Sequence, residues 1–260
     1  AKIYDSMHVS YSAIDLDEHG VCIDSLEDHQ IDIMHLSPSH HFPTGIITPI
    51  SRRYELLGWA SKDENRYIIE DDYDSELRLG GKPIPTLQSI DVSDKVIYMN
   101  TFTKTLSSTV RISYMVLPAS LTELFYKKLS FYSCTVSNFE QYTLARFMES
   151  GSFEKHINRL RNYYQNKRDA ILEIFKTAPL DQYITIKEED SGVHFMMKLK
   201  TDRTEMDMIS DAKSKGIKLA PLSKYFVGQT SNMSFQNVYV MNYSSIDLEQ
   251  LPLIFDALCH

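Results

Sequence analysis

Three short apolar runs, each stopped by a polar loop, constrain this chain more than any other feature. "IDIMHLSP" (Ile31 to Pro38) reads as a buried strand ending at proline. "RYIIEDDYDSEL" reads as a strand over Tyr67 to Ile69 that enters an acidic loop, and "DKVIYMNTFTK" as a strand over Val96 to Met99 that enters a lysine turn. After the turn "HHFPTG", the segment "TPISRRYELLGWASK" has helical period, with Ile50, Tyr54, Leu57 and Trp59 on or near one face. "RISYMVLP" supplies a fourth strand. Strand, helix, strand, loop, strand is the rhythm of a mostly parallel α/β sheet. Ligands of such sheets bind outside the carboxyl ends of the strands, where the acidic loop and the lysine turn both lie.

The rest of the chain is expected to be more helical. From "ASLTELFYKKLSFYS" to Ser150 the pattern is helical, with Ser120 as N-cap and Glu123 completing a capping box. "SGSFEKHINRLRNYYQNKRDAILEIFKTA" predicts a long amphipathic helix with Ile157, Leu160, Tyr164, Ile171 and Phe175 on its apolar stripe. "GVHFMMKLK" and "NVYVMNYSSI" read as strands, "EMDMISDAKSKGI" and the closing "DLEQLPLIFDALC" as helices. The expected organisation is a partial large domain over 1–154 and a small C-terminal α+β domain over 155–260.

Composition narrows the class. A chain of 260 residues suffices for one large domain, or a large and a small one. Apolar residues at 43% and charged residues at 24% are ordinary for a soluble globular protein. A net charge of −8, with no lysine- or arginine-rich block, argues against a nucleic-acid surface on this chain. No apolar run approaches the roughly 20 residues of a membrane helix, and the first residues carry no leader pattern. Cys22, Cys134 and Cys259 form neither a disulfide framework nor a metal spacing, which makes a reducing cytoplasm the expected compartment. The nine histidines show no metal-binding spacing, and no metal is expected.

The loops at the strand ends hold the chemistry. Pyridoxal 5′-phosphate (PLP) requires a lysine amine, a carboxylate against the pyridine nitrogen, a phenol or amide at the ring O3′, and hydroxyls with an arginine for the phosphate. The chain offers Lys104, Asp71, Tyr73, Thr101, Thr103 and Arg111 for these places. Taken singly, Lys104 is a solvated loop lysine, "EDDYDSE" an exposed acidic turn, Tyr73 a packed aromatic and Arg111 a surface arginine. Threonines also favour strands for packing reasons. The combination, at consecutive strand ends, is what points to a cofactor site. Asp72 and Asp74 read as supporting loop carboxylates. His40, His194 and Ser244 are candidate lining residues of an effector pocket.

"SPSHHFPTGIITPISRRYELLGWA", "YIIEDDYDSELR", "IYMNTFTKTLSSTVRISYMVLP" and "ESGSFEKHINRLRNYYQNKRDAIL" resemble the aminotransferase-like domain of the MocR/GabR family of bacterial transcription regulators. The resemblance implies a fold-type I, aminotransferase-like fold, with Lys104 as the aldimine lysine, Asp71 on the ring nitrogen, Tyr73 on O3′ and Arg111 on the phosphate. It also implies a small amino-compound effector, a homodimer, and DNA contact only through a winged helix-turn-helix domain that this chain does not contain. The chain resembles a piece of such a regulator that begins after the family's Gly-rich phosphate turn. Three departures stand out: Phe42 occupies the asparagine place of N-P-T-G, "KTLSSTVR" lacks the proline and glycine of the family's turn, and Val240 aligns with the arginine that grips an amino acid carboxylate. Two functions follow from the resemblance. One is a sensor that exchanges its aldimine with an incoming amine; the alternative is a PLP-dependent aminotransferase. The missing arginine favours the sensor.

Overall fold

The computed structural model describes residues 2–27, 29–80, 84–177, 180–187, 192–227 and 235–251. A short helix α1 (Lys2–Ser6) and a small antiparallel pair, β1 (Leu16–Asp17) and β2 (Gly20–Val21), lead through α2 (Asp24–Glu27) to the main sheet. That sheet has the order β3 (Ile33–Leu36), β4 (Tyr67–Asp71), β5 (Val96–Thr101), β6 (Ser113–Val116). The first two pairings are parallel and the last is antiparallel. The fold is α/β with a mostly parallel sheet, as expected from the sequence.

Helix α3 (Ile50–Ser61) makes the crossover from β3 to β4. It buries Leu56, Leu57, Trp59 and Ala60 against Met34, Leu36, Ile68 and Val96 of the sheet. Two helix positions expected on its apolar face lie outside: Ile50 and Tyr54 are exposed, and Arg53 is buried in their place. The reason is a hydrogen-bond set. Arg53 donates through Nε to the Thr48 carbonyl (3.0 Å), through Nη2 to that of Pro38 (2.9 Å) and through Nη1 to that of Pro85 (3.1 Å), and it pairs with Glu70. Glu70 in turn accepts the amides of Leu87 and Gln88, both at 2.9 Å, at the start of α4 (Leu87–Ile90). One ion pair thus ties the end of β3, the start of α3, β4 and α4. Strand β3 also differs from the expected buried run. Only Met34 and Leu36 face the core, while Ile33 and His35 face outward, because the strand lies at the end of the described sheet.

Beyond β6 the expected continuous helix is two. Helix α5 (Ala119–Leu129) begins after Pro118, and its first amides, of Ala119 and Ser120, donate to the Asp94 carboxylate at 2.9 and 3.2 Å. A carboxylate from a distant turn therefore caps α5, not Ser120 with Glu123. The capping box sits instead on α6 (Asn138–Glu149), where Ser137 Oγ accepts the Glu140 amide and donates to its carboxylate at 2.9 Å. Helix α7 (Ser152–Phe175) carries the expected stripe. Ile157, Ile171 and Phe175 are buried on it, and Leu160 and Tyr164 pack partly.

A second core forms around α7, α8 (Leu180–Tyr183), α9 (Glu205–Ser214) and an antiparallel sheet of β7 (Ile184–Lys187), β8 (His194–Leu199) and β9 (Val238–Asn242). Phe195, Met197, Tyr239 and Tyr243 are its most buried members from the sheet region. Leu77 and Leu79, from the loop after β4, also pack there, so this loop leaves the first sheet to join the second core. Most of the expected closing helix lies outside the described residues. No helix among the described residues is long and apolar enough to cross a membrane.

Candidate functional site

Parallel β3, β4 and β5 point their carboxyl ends the same way, and the loops leaving them enclose an open cavity of about 500 Å³. His35, Leu36, Ser37, His41, Phe42, Asp71, Tyr73 and Lys104 line it. Three of the six site residues expected from the sequence, Asp71, Tyr73 and Lys104, are therefore on one wall.

The lysine turn is fixed by its own backbone. The Phe102 amide donates to the Ile112 carbonyl and the Leu106 amide to that of Phe102, both at 2.9 Å. Thr103 Oγ1 donates to the Val110 carbonyl (2.9 Å), and Thr101 Oγ1 lies 3.0 Å from Thr103 Oγ1 and 3.2 Å from the Ile112 carbonyl. These hydroxyl protons hold the two sides of the turn together. Thr101 and Thr103 do not line the cavity, and their geometry favours turn-holding over the expected phosphate contact. His156, one turn into α7, contacts the Thr105 carbonyl through Nε2 at 2.8 Å and anchors the turn from outside. Nothing in the sequence pattern singled out His156. Arg111 is exposed and makes no hydrogen bond or ion pair among the described residues; it does not line the cavity either.

The acidic loop divides its work by burial. Asp71, at the end of β4, is half exposed, and its Oδ2 lies 3.6 Å from His35 Nε2. Tyr4 of α1 reaches His35 Nδ1 at 2.6 Å. Burial, and then the Asp71 charge, push the Tyr4 phenol upward in pKa, so it stays neutral beside the His35 ring. Asp72 is buried and accepts from Ser75 Oγ and Tyr98 OH, each at 2.7 Å. Asp74 is buried against His40 Nδ1 at 2.8 Å. Tyr73 donates to the His40 carbonyl at 3.0 Å. Burial first, and then the charges of Asp74, Asp71 and Asp72, raise its pKa strongly, so the phenol keeps its proton.

His40 and His194 are not among the residues lining the cavity; their rings meet at a tilt, with centroids 4.3 Å apart. Ser244 is elsewhere, donating to Asn242 Oδ1 at 2.7 Å. His41, one residue on from His40, lines the cavity, as His35 does. Burial, reinforced by His40, lowers its pKa to about 4.

No family model matches the chain. It is 39% identical over 222 residues to the HTH-type transcriptional regulator YdeL of Bacillus subtilis, covering 85% of this chain and 48% of the relative. It is 30% identical over 215 residues to the probable rhizopine catabolism regulatory protein MocR of Rhizobium meliloti, covering 83% of this chain and 42% of the relative. The chain belongs to the MocR family of regulators. It spans about half the length of the curated relatives it matches. Its fold matches the kynurenine aminotransferase of Pyrococcus horikoshii, solved in complex with PMP, with a TM-score of 0.78 at 25% identity, over 96% of this chain and 63% of that one. The match is to an aminotransferase fold, as the MocR resemblance implies.

In this MocR-family chain the departures have structural consequences. Phe42 lines the cavity with its ring 46% exposed. Val240 is buried on β9 in a small cluster with Leu222 and Val238, and partly buried Met196 and Phe226 pack against it. An arginine there would have to break that cluster or turn away from it.

Proposed function

We propose that this chain is the effector-binding part of a MocR-type regulator and holds PLP on Lys104. The observation that carries the proposal is the convergence of an amine, a carboxylate and a neutral phenol on one cavity at the ends of parallel strands. The set fits the group: Lys104 supplies the amine, Asp71 an anion for the ring nitrogen, and Tyr73 a phenol that keeps its proton. Arg111, exposed and unpaired among the described residues, is the proposed phosphate contact. When bound, PLP condenses with primary amines and withdraws electrons from the carbon it holds. The chain's own residues orient it. His35, held by Tyr4, stands beside Asp71, and the hydrogen-bonded turn fixes where Lys104 starts.

The output is proposed to be regulatory. Residues 1–154 form the cofactor lobe and 155–260 the closing lobe, with a small amino compound shifting their equilibrium. Partnering is proposed as a homodimer that contacts DNA through a winged helix-turn-helix domain outside this chain, in the cytoplasm. The second reading, an aminotransferase, draws on the retained lysine, aspartate and tyrosine. Buried Val240 favours sensing, because it supplies no charge to orient an amino acid carboxylate.

Borohydride reduction of the PLP-treated protein followed by peptide mapping tests the proposal. The pyridoxyl group is expected on Lys104. Label on another lysine, or no label with PLP in excess, refutes it.

A further inference from the structure

The outer wall of the cavity is aromatic. Phe42 meets Tyr225 edge to face, with centroids 5.2 Å apart at 89°, and meets His194 at 5.2 Å and 67°. His194 in turn lies against buried His40 at a tilt of 30°. Two of the rings stay open: Phe42, which lines the cavity, is 46% exposed, and its neighbour Tyr225 is 37% exposed. Tyr225 ends the short 3-10 turn Leu222–Tyr225, which Leu222 seats on Val238 and Val240 of β9. The Val240 amide donates to the Ala220 carbonyl at 2.8 Å, which fixes the approach to the turn. The apolar cluster therefore positions Tyr225 against Phe42, which lines the cavity.

Charge at this wall is one-sided. Burial first, and then the neighbouring His40, lower the His194 pKa to about 3, and His41 is likewise uncharged at neutral pH. Lys104 is the only lysine or arginine among the described residues lining the cavity, and its amine is the group the cofactor takes. A carboxylate placed against Phe42 would lose water and, among the described residues lining the cavity, would find no cation but Lys104, which is unfavourable. A third ring there would gain edge-to-face contacts within the 4.5–7 Å range such pairs prefer.

We infer that the effector is a primary amine carrying an aryl group and no carboxylate, with its ring held at the Phe42–Tyr225 wall. This inference rests on the reading of Lys104 as the cofactor lysine. The test titrates the PLP-loaded chain with 2-phenylethylamine, n-butylamine and L-phenylalanine and follows the visible spectrum. The half-saturating concentration of 2-phenylethylamine is expected to be at least tenfold below both others. Phe42→Leu should raise it several-fold more than it raises that of n-butylamine. Equal or tighter response to L-phenylalanine overturns the absence of a carboxylate site; equal response to n-butylamine overturns the aryl site. Loss of any bound-cofactor spectrum before amine is added is a failure of the cofactor reading instead. Saturation-transfer NMR of the same three compounds on the chain then reads the wall directly, and no preference for the aryl compound overturns the inference.

Discussion

Arg53→Met removes the cation beneath the site while keeping an apolar side chain of similar reach. Arg53 and Glu70 are both fully buried. The substitution leaves three carbonyls, of Thr48, Pro38 and Pro85, without their guanidinium donor, and leaves Glu70 with only the amides of Leu87 and Gln88. Breaking one side of a buried pair costs about 3–5 kcal/mol, a large share of the about 5–15 kcal/mol that holds a typical domain together. Urea unfolding at 25 °C measures the loss. The pH dependence separates this cause from simple loss of packing. Burial already raises the Glu70 pKa, against the downward pull of the two amides and Arg53. Without Arg53 the folded-state pKa rises further above the unfolded value. A group of that kind contributes its stability below its unfolded pKa and loses it as pH rises through the folded one. The deficit of Arg53→Met should therefore widen from pH 5 to pH 8, and Arg53→Met/Glu70→Gln should recover at least half of it. A loss under about 1 kcal/mol, or one flat across that range, would falsify the pair as the tie between β3, α3, β4 and α4.

Two further outcomes follow from the site. Gly192→Ala is expected to destabilise the protein, because a Cβ there would collide with the His40 ring and the Asp74 carboxylate on a backbone held at a φ of +62°; circular-dichroism melting measures it, and an unchanged Tm refutes the tight approach. His35→Ala should weaken PLP binding by less than about fivefold, since a half-exposed pair at 3.6 Å contributes about 0.2–1 kcal/mol, whereas Asp71→Ala should weaken it more; equal effects in a spectrophotometric titration would mean that the histidine, not the aspartate, faces the ring.

Local pattern carried much of the fold into the sequence. The strands at Tyr67 and Val96 were legible because β-branched residues crowd between turn signals. The stripe on α7 was legible because its period holds on both sides of Lys167 and Arg168. What failed was whatever depends on distant partners. Ser120 and Glu123 have the spacing of a capping box, but Asp94, from another loop, already satisfies those amides. Arg53 sits where a helical wheel allows an outward arginine, and only the carbonyls of three other segments make burial favourable. The site divides the same way. Lys104, Asp71 and Tyr73 were legible as residue types at strand ends, while Tyr4, His35 and His156 act through contacts across 31 and 51 positions of chain.

Position 240 links the two halves of the functional argument. A charged side chain on β9 would serve an amino acid carboxylate, but it would also disrupt the cluster of Leu222, Val238 and Val240. That cluster seats the turn bearing Tyr225, and Tyr225 meets Phe42 at the cavity mouth. Val240 and Phe42 are thus linked through Leu222 and Tyr225. On the proposed reading the first supplies no counter-charge to an amino acid carboxylate, and the second offers the ligand an aromatic surface. Transamination needs the bond to be broken held in register with the cofactor, and a displacement of about 1 Å costs on the order of 100-fold. On the sensor reading, recognition of an amine by its ring tolerates such looseness, so the proposed aryl site suits sensing better than it suits turnover.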